Sequence, residues 1–229
     1  MKLKKIALFT ILALGWLTSF SQGEKKDSLL TLHRAGMAND SVYNDLIWSF
    51  VFNAPDSAIF FGKQGLRWGQ ENDEKKLFAS MHNRMGVAYD IRSMADSALY
   101  HYFLARDLAS ETHNMKTLAG ALNNIGLIYW NTGELEKAIE HYLRSAGIFE
   151  EIGDLKGLSN NYNNLGLILY DNNDMAQCLE YHHRAIEIRK KIGYEYGIGA
   201  SYLNLAHYYT SGQNSNPDSA IYYNTKAID

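Results

Sequence analysis

"ALNNIGLIYWNTGELEKAIEHYLRS", residues 121–145, has one counterpart forty residues upstream and another forty residues downstream. The upstream copy is "MHNRMGVAYDIRSMADSALYHYFLA" (81–105) and the downstream copy is "NYNNLGLILYDNNDMAQCLEYHHRA" (161–185). At this offset Gly86, Gly126 and Gly166 share one column, Ala98, Ala138 and Cys178 a second, and Tyr102, Tyr142 and His182 a third. Ala58 extends the second column one period earlier, and Ala220 extends it one period later after a two-residue insertion. The heptapeptides "PDSAIFF" (55–61) and "PDSAIYY" (217–223) are therefore the same element in the first and fifth units. Repetition at this length marks a solenoid, in which each unit buries its apolar face only against its neighbours.

Each unit reads as two helices. Leu122, Ile125 and Tyr129 follow helical spacing, and Leu135, Ala138, Ile139, Tyr142, Ala146 and Phe149 form the stripe of a second, half-buried helix. Gly153 and Gly193 are placed to end that second helix, because glycine enters the left-handed region without a Cβ penalty. Pro55 and Pro217 suit its first turn, where a missing N–H is tolerated, and Asp56 and Asp218 favour the positive end of its dipole. The heptapeptide is thus expected to start a helix, with its alanine toward a neighbouring helix and both aromatics packing behind. A glycine column in mid-helix costs ~1 kcal/mol per site relative to alanine. It is expected to let two helices approach closely, with the alanine column opposite.

At these residues the chain resembles the tetratricopeptide repeat family. "NNIGLIYWNTGELEKAIEHYLRSA" (123–146) carries the family's pattern in order: Ile125 and Gly126, Tyr129, the turn glycine Gly133, Ala138, Tyr142 and Ser145. Leu122 replaces the tryptophan often found before the apolar-Gly pair, the closing proline is absent, and Leu46 stands in the glycine column of the first unit. The forty-residue period looks like the long-helix subclass found in kinesin light chains, polarity adaptors and bacterial regulators. The resemblance implies an all-α fold, a tetratricopeptide-type α-solenoid of antiparallel helix pairs forming a right-handed superhelix. About five units are expected, at 41–72, 73–112, 113–152, 153–192 and 193–229, after a linker and short leading helix at 22–40.

The N-terminus "MKLKKIALFTILALGWLTSFSQG" (1–23) has a basic head, an uncharged run from Ile6 to Phe20, and a small-x-small site at Ser19 and Ser21. This is the pattern of a secretory signal peptide cleaved near Ser21. The run falls short of the ~20 residues that span a bilayer as a helix, and an uncleaved membrane tether is the alternative. Export, periplasmic or secreted, is the expectation either way. Without residues 1–21 the chain has 19 basic and 25 acidic residues, so nucleic acid is not an expected partner. Cys178 is the single cysteine, so no intramolecular disulfide forms.

Asparagines provide the candidate site. Asn83, Asn123 and Asn163 repeat at forty, and in the next column Arg84 is followed by Asn124, Asn164 and Asn204. Asparagine is a poor residue for a helix interior, so a register of them needs a cause. The family resemblance implies that first helices line a concave groove, and that asparagines of the later column grip a bound peptide backbone. An amide donates and accepts at once, which matches a peptide unit. The alternative is that they bond neighbouring helices. Leu127, Leu167 and His207 lie three residues beyond the later column, and Trp130 and Tyr170 three further on. They are expected to add apolar and aromatic contacts to the groove, with inter-repeat packing as their alternative role.

No catalytic residue, cofactor or metal site is expected. His101 and His141 share a column, but helices a repeat apart stack at roughly 10 Å, too far for one ion. His182 and His183 point about 100° apart on a helix. No phosphate-binding glycine loop with lysine, H-E-x-x-H or G-x-S-x-G occurs. Cys178 replaces alanine in a packing column and reads as a buried, inert thiol. The expected function is therefore an exported module that binds a protein or peptide in its groove. A second reading takes the region as the sensory half of a membrane-bound histidine kinase, cyclase or transcription regulator. A third is a passive envelope scaffold.

Overall fold

A computed structural model of the chain describes residues 19–210 and 215–228. The described residues form eleven α-helices and no strand. These are α1 (Ser19–Arg34), α2 (Asp40–Phe50), α3 (Pro55–Glu71), α4 (Phe78–Ile91), α5 (Ala95–Glu111), α6 (Met115–Thr132), α7 (Leu135–Glu151), α8 (Leu155–Asp171), α9 (Met175–Lys191), α10 (Glu195–Thr210) and α11 (Pro217–Ile228). Of the segment expected to direct export, residues 1–18 lie outside the described residues. None of the described helices is long and apolar enough to cross a membrane.

One connector recurs along the chain. Asp73, Ser93, His113, Gly133, Asn173, Gly153 and Gly193 all have positive φ, between 52° and 87°, and they fall at intervals of twenty residues. Each closes the helix before it. The N–H of the following residue returns to a carbonyl five positions back, as in Met94 to Tyr89 (2.9 Å), Glu134 to Tyr129 (2.8 Å), Asp174 to Leu169 (2.9 Å) and Tyr194 to Arg189 (2.9 Å). This is the Schellman closure, which satisfies carbonyls that a helix end leaves without partners. Several of these following residues also open the next helix: Asp154 and Asp174 accept from Gly157 N and Gln177 N at 2.9 and 3.2 Å. Helix stop and helix start are thus built into neighbouring residues.

The chain divides into two compact units, Met1–Ile128 and Tyr129–Asp229. In the first, α2 packs on α3, α3 on α4 and α4 on α5, and α2 also touches α4. Its core holds Leu46, Ile47, Val51, Ala58, Met81, Met85 and Ala88. In the second, α7 packs on α8, α8 on α9, α9 on α10 and α10 on α11, with α8 touching α10. Tyr142, Leu165, Ile168, Cys178, Ala185 and Leu205 are buried there. Both units are stacks of antiparallel helix pairs, the tetratricopeptide-type α-solenoid.

The glycine column works differently from the expectation. A Cβ on Gly86 would lie 2.5 Å from the Tyr102 ring, and one on Gly166 would lie 2.7 Å from the His182 ring. The missing side chain therefore admits the aromatic column, not the alanines, and one small and one large residue meet at both of these crossings. In the first pair Leu46 stands in the glycine column of α2 and Gly62 in the aromatic column of α3, and the space beside Gly62 is filled by the Met85 side chain of α4. The two PDSAI copies do open α3 and α11, and Ala58 and Ala220 are buried as expected. Of their aromatics, only the second of each pair packs inward. Phe60 and Tyr222 are exposed, because adjacent residues on a helix point about 100° apart.

Candidate partner-binding face

The residues expected in the groove come from the first helices of the pairs. In the first unit they are Asn83 and Arg84 on α4 and Asn123, Asn124 and Leu127 on α6, all half-buried. Asn124 donates through Nδ2 to Asn83 Oδ1 at 3.1 Å, linking the first helices of successive pairs. Asn123 donates to Asn124 Oδ1 at 3.4 Å. One pair earlier the column holds Arg84, which donates to the carbonyl of Asn44 at 2.5 Å and lies 3.9 Å from Asp45. Its guanidinium also covers the ring of the half-exposed Trp48, with Cζ 5.3 Å from the centroid.

In the second unit Asn163, Asn164, Leu167 and Tyr170 lie on α8, and Asn204 and His207 on α10, again half-buried. Asn204 donates to Asn163 Oδ1 at 2.9 Å, the same bond two repeats further along. The later asparagine column therefore reaches back to the earlier column of the preceding pair. Bonding between neighbouring helices, the alternative reading of these residues, is thus what Asn124 and Asn204 do. Each amide has two N–H donors and an oxygen that accepts twice, so a single bond does not exhaust it.

The aromatic residues divide. Trp130, expected on the groove, is buried with 7% of its surface exposed, and its indole N–H donates to Asp171 Oδ2 at 2.6 Å. It is an inter-repeat strut. Tyr170 remains half-buried and meets His207 and Tyr208 with ring centroids 5.6 and 6.2 Å apart. Among the histidines, His82 and His101 face each other, Nδ1 to Nδ1 at 2.9 Å, so one tautomer donates to the other. Burial, then the charge of His101, pulls His82 down to about 4. His182 is almost wholly buried against Gly166 and is pulled down to about 3, by burial first and then by Arg189 and His183. Cys178 is buried, and burial pushes its thiol up to about 12, which keeps it protonated and unreactive.

Sequence reading passed over Arg189. Its column holds Ala109 and Phe149 in the preceding pairs, so a charge there breaks an apolar register. The guanidinium is 4% exposed and donates to Asn160 Oδ1 at 2.9 Å, Gly197 O at 2.8 Å, Asn163 Oδ1 at 3.4 Å and the Ser201 hydroxyl. Burial lowers it to about 10, so it remains charged at neutral pH.

Residues 117–171 and 157–229 match a family model described as tetratricopeptide repeat. No curated protein matches the chain. Among solved structures it is similar to BtubC from P. vanneervenii, with 18% identity and a TM-score of 0.74 over 93% of this chain and 90% of that one. It is also similar to a Rap protein complexed with competence and sporulation factor, with 13% identity and a TM-score of 0.64 over 82% of this chain and 62% of that one. A third is a Podosopora anserina protein with nearly identical TPR-like repeats of kinesin light chain type, with 12% identity and a TM-score of 0.60 over 90% and 92% of the two chains.

Proposed function

We propose that this chain is an exported protein- or peptide-binding module that uses the first-helix face of its pairs and has no chemistry of its own. The observation that carries this reading is the asparagine register, held by Asn124 to Asn83 in one unit and Asn204 to Asn163 in the other. Amides fixed in orientation by these bonds keep N–H donor capacity for the carbonyls of a peptide backbone, and Leu127, Leu167 and Tyr170 lie half-buried beside them. The fold class supports it, since such repeat scaffolds present extended binding surfaces. A Rap protein of similar fold is complexed with competence and sporulation factor, and a partner of that general kind, a protein or peptide, is proposed for this chain as well. The apolar run near the N-terminus favours export, and the sensory half of a membrane signalling protein is the setting in which the same face would report to an output module.

The test is a titration of wild type and of Asn124→Ala with Asn204→Ala, using the protein or peptide that co-purifies from the exported fraction. Each lost bond is expected to weaken binding by ~0.5–1.5 kcal/mol, together with a small fall in melting temperature from the lost inter-helix bond. A lower melting temperature with unchanged affinity would overturn the proposal and leave the asparagines as struts.

A further inference from the structure

The opening turns of three second helices share one pattern: "DSAIFF" (56–61), "DSALYH" (96–101) and "DSAIYY" (218–223). In each, the last ring is stacked by a ring from the helix before it: Phe50 on Phe61, Tyr89 on His101 and Tyr209 on Tyr223, with centroids 5.4, 5.1 and 5.6 Å apart. The exposed rings of Phe60, Tyr100 and Tyr222 meet the same last ring edge-on. Each pair thus gathers three rings beside an aspartate.

Elsewhere in the chain this arrangement comes with a cation. In the first pair Lys26 Nζ lies 5.5 Å from the Phe50 centroid, and Arg92 holds Asp56 at 2.7 Å. In the third pair Tyr129 and His141, which share columns with Tyr89 and His101, stack at 5.5 Å, and Lys137 Nζ lies 5.2 Å from the Tyr129 centroid. The stack therefore leaves a face of the first ring open to a positive charge, which the electron-rich face attracts. In the second pair Ser97 stands in the column of Lys137. Among the described residues no cation lies over Tyr89 and none pairs with Asp96.

What stands there instead is a space. Tyr89, Asp96, Ser97, Tyr100 and His101 line a surface cleft of about 380 Å³ between α4 and α5. Its aspartate and the Tyr100 ring are exposed, while His101 is buried with Nδ1 engaged by His82 at 2.9 Å. Burial, then the charge of Lys63, holds His101 below its ordinary value, so this wall is neutral at physiological pH. Lys63 itself lies over none of the rings.

We propose that this cleft binds an alkylammonium group, with the Tyr89 and Tyr100 rings about the cation and Asp96 as its counter-ion. The ligand supplies to the second pair the charge that Lys137 supplies to the third. None of the asparagine register takes part, so the site stands or falls independently of the first-helix face.

The test titrates the full chain, by NMR, with choline, with its uncharged isostere 3,3-dimethyl-1-butanol, and with Nα-acetyl-lysine methylamide. Choline is expected to bind about tenfold more tightly than the isostere, a preference that falls as salt rises, with its methyl protons shifted upfield by the rings. Tyr100→Ala, at an exposed position, is expected to weaken choline about fivefold at unchanged melting temperature. Ser97→Lys is expected to abolish binding by placing the chain's own ammonium over Tyr89; if that variant fails to fold, Tyr100→Ala is decisive. Binding of the lysine derivative as well as choline, or in its place, would assign the ammonium to a side chain of a protein partner, and binding of choline alone to a free quaternary amine. Equal affinity for choline and the isostere, no binding of either cation, or binding that survives Ser97→Lys or is untouched by Tyr100→Ala would overturn the site.

Discussion

His182→Tyr tests the packing of the helix pairs through their response to acid. His182 sits in the column that holds Tyr102 and Tyr142, with its ring against Gly166 as the Tyr102 ring lies against Gly86. Tyrosine therefore has a precedent for the shape of the site. In the folded chain the imidazole is held down to about 3, first by burial, then by the charges of Arg189 and His183, against an ordinary value of about 6.5. The folded value is the lower one, so the unfolded chain binds more protons between the two. The stabilisation is complete above about pH 6.5 and is lost as pH falls toward 3. At pH 5 the unfolded histidine is almost fully protonated and the folded one neutral, which costs about 2 kcal/mol relative to neutral pH. For a chain of this size that is a fall of roughly 4–8 °C in melting temperature. Circular-dichroism melts of wild type and His182→Tyr at pH 7 and pH 5 give the difference, in which the contributions of other titrating groups cancel. The variant is expected to lose less stability than wild type by about that amount. Equal losses in both proteins would refute the claim that His182 is buried neutral in the core.

Gly86→Ala is expected to destabilise the first unit by ~1–3 kcal/mol in a denaturant titration, since a methyl group would overpack against the buried Tyr102 ring; a variant as stable as wild type would refute the close contact. The Cys178 thiol, pushed up to about 12 by burial and then by Asp174, is expected to resist a thiol-specific reagent at pH 8 in native protein and to react promptly in urea; rapid native labelling would show that the site is open.

Much of the fold was legible because solenoid packing is local. The columns of Gly86, Ala98 and Tyr102 recur at one period, and each marks a contact within a pair or between adjacent pairs. What the columns did not disclose is which faces which. Glycine and alanine were set opposite each other because both are small, whereas the structure sets Gly86 against Tyr102 and Gly166 against His182, pairing sizes that add up. Four of the seven connectors were also hidden, because Asp73, Ser93, His113 and Asn173 occupy the left-handed region without being glycine. The candidate site was half legible. The asparagine register is visible in the sequence, but the direction of its bonds depends on which helix lies beside which. Trp130 and Tyr170 share a column, and only the geometry separates the buried strut from the half-exposed ring. Arg189 could have been found as the charged residue in an apolar column, had exceptions been weighed as heavily as matches.

The twenty-residue interval between connectors bears on how such a chain grows. Since the turn within a pair and the turn between pairs have the same backbone form, nothing in a connector tells odd helices from even ones. That distinction is kept by bulk, with the small residue on one helix and the ring on the next, as at Gly86 and Tyr102. Duplication or loss of forty residues preserves the alternation and produces a longer or shorter chain of the same kind. A slip of twenty leaves every turn intact yet breaks the match, since the residues twenty from Tyr102 are His82 and Leu122 and those twenty from Gly86 are Leu66 and Arg106. The grammar of length is thus written in side-chain volume, while the turns serve only as punctuation.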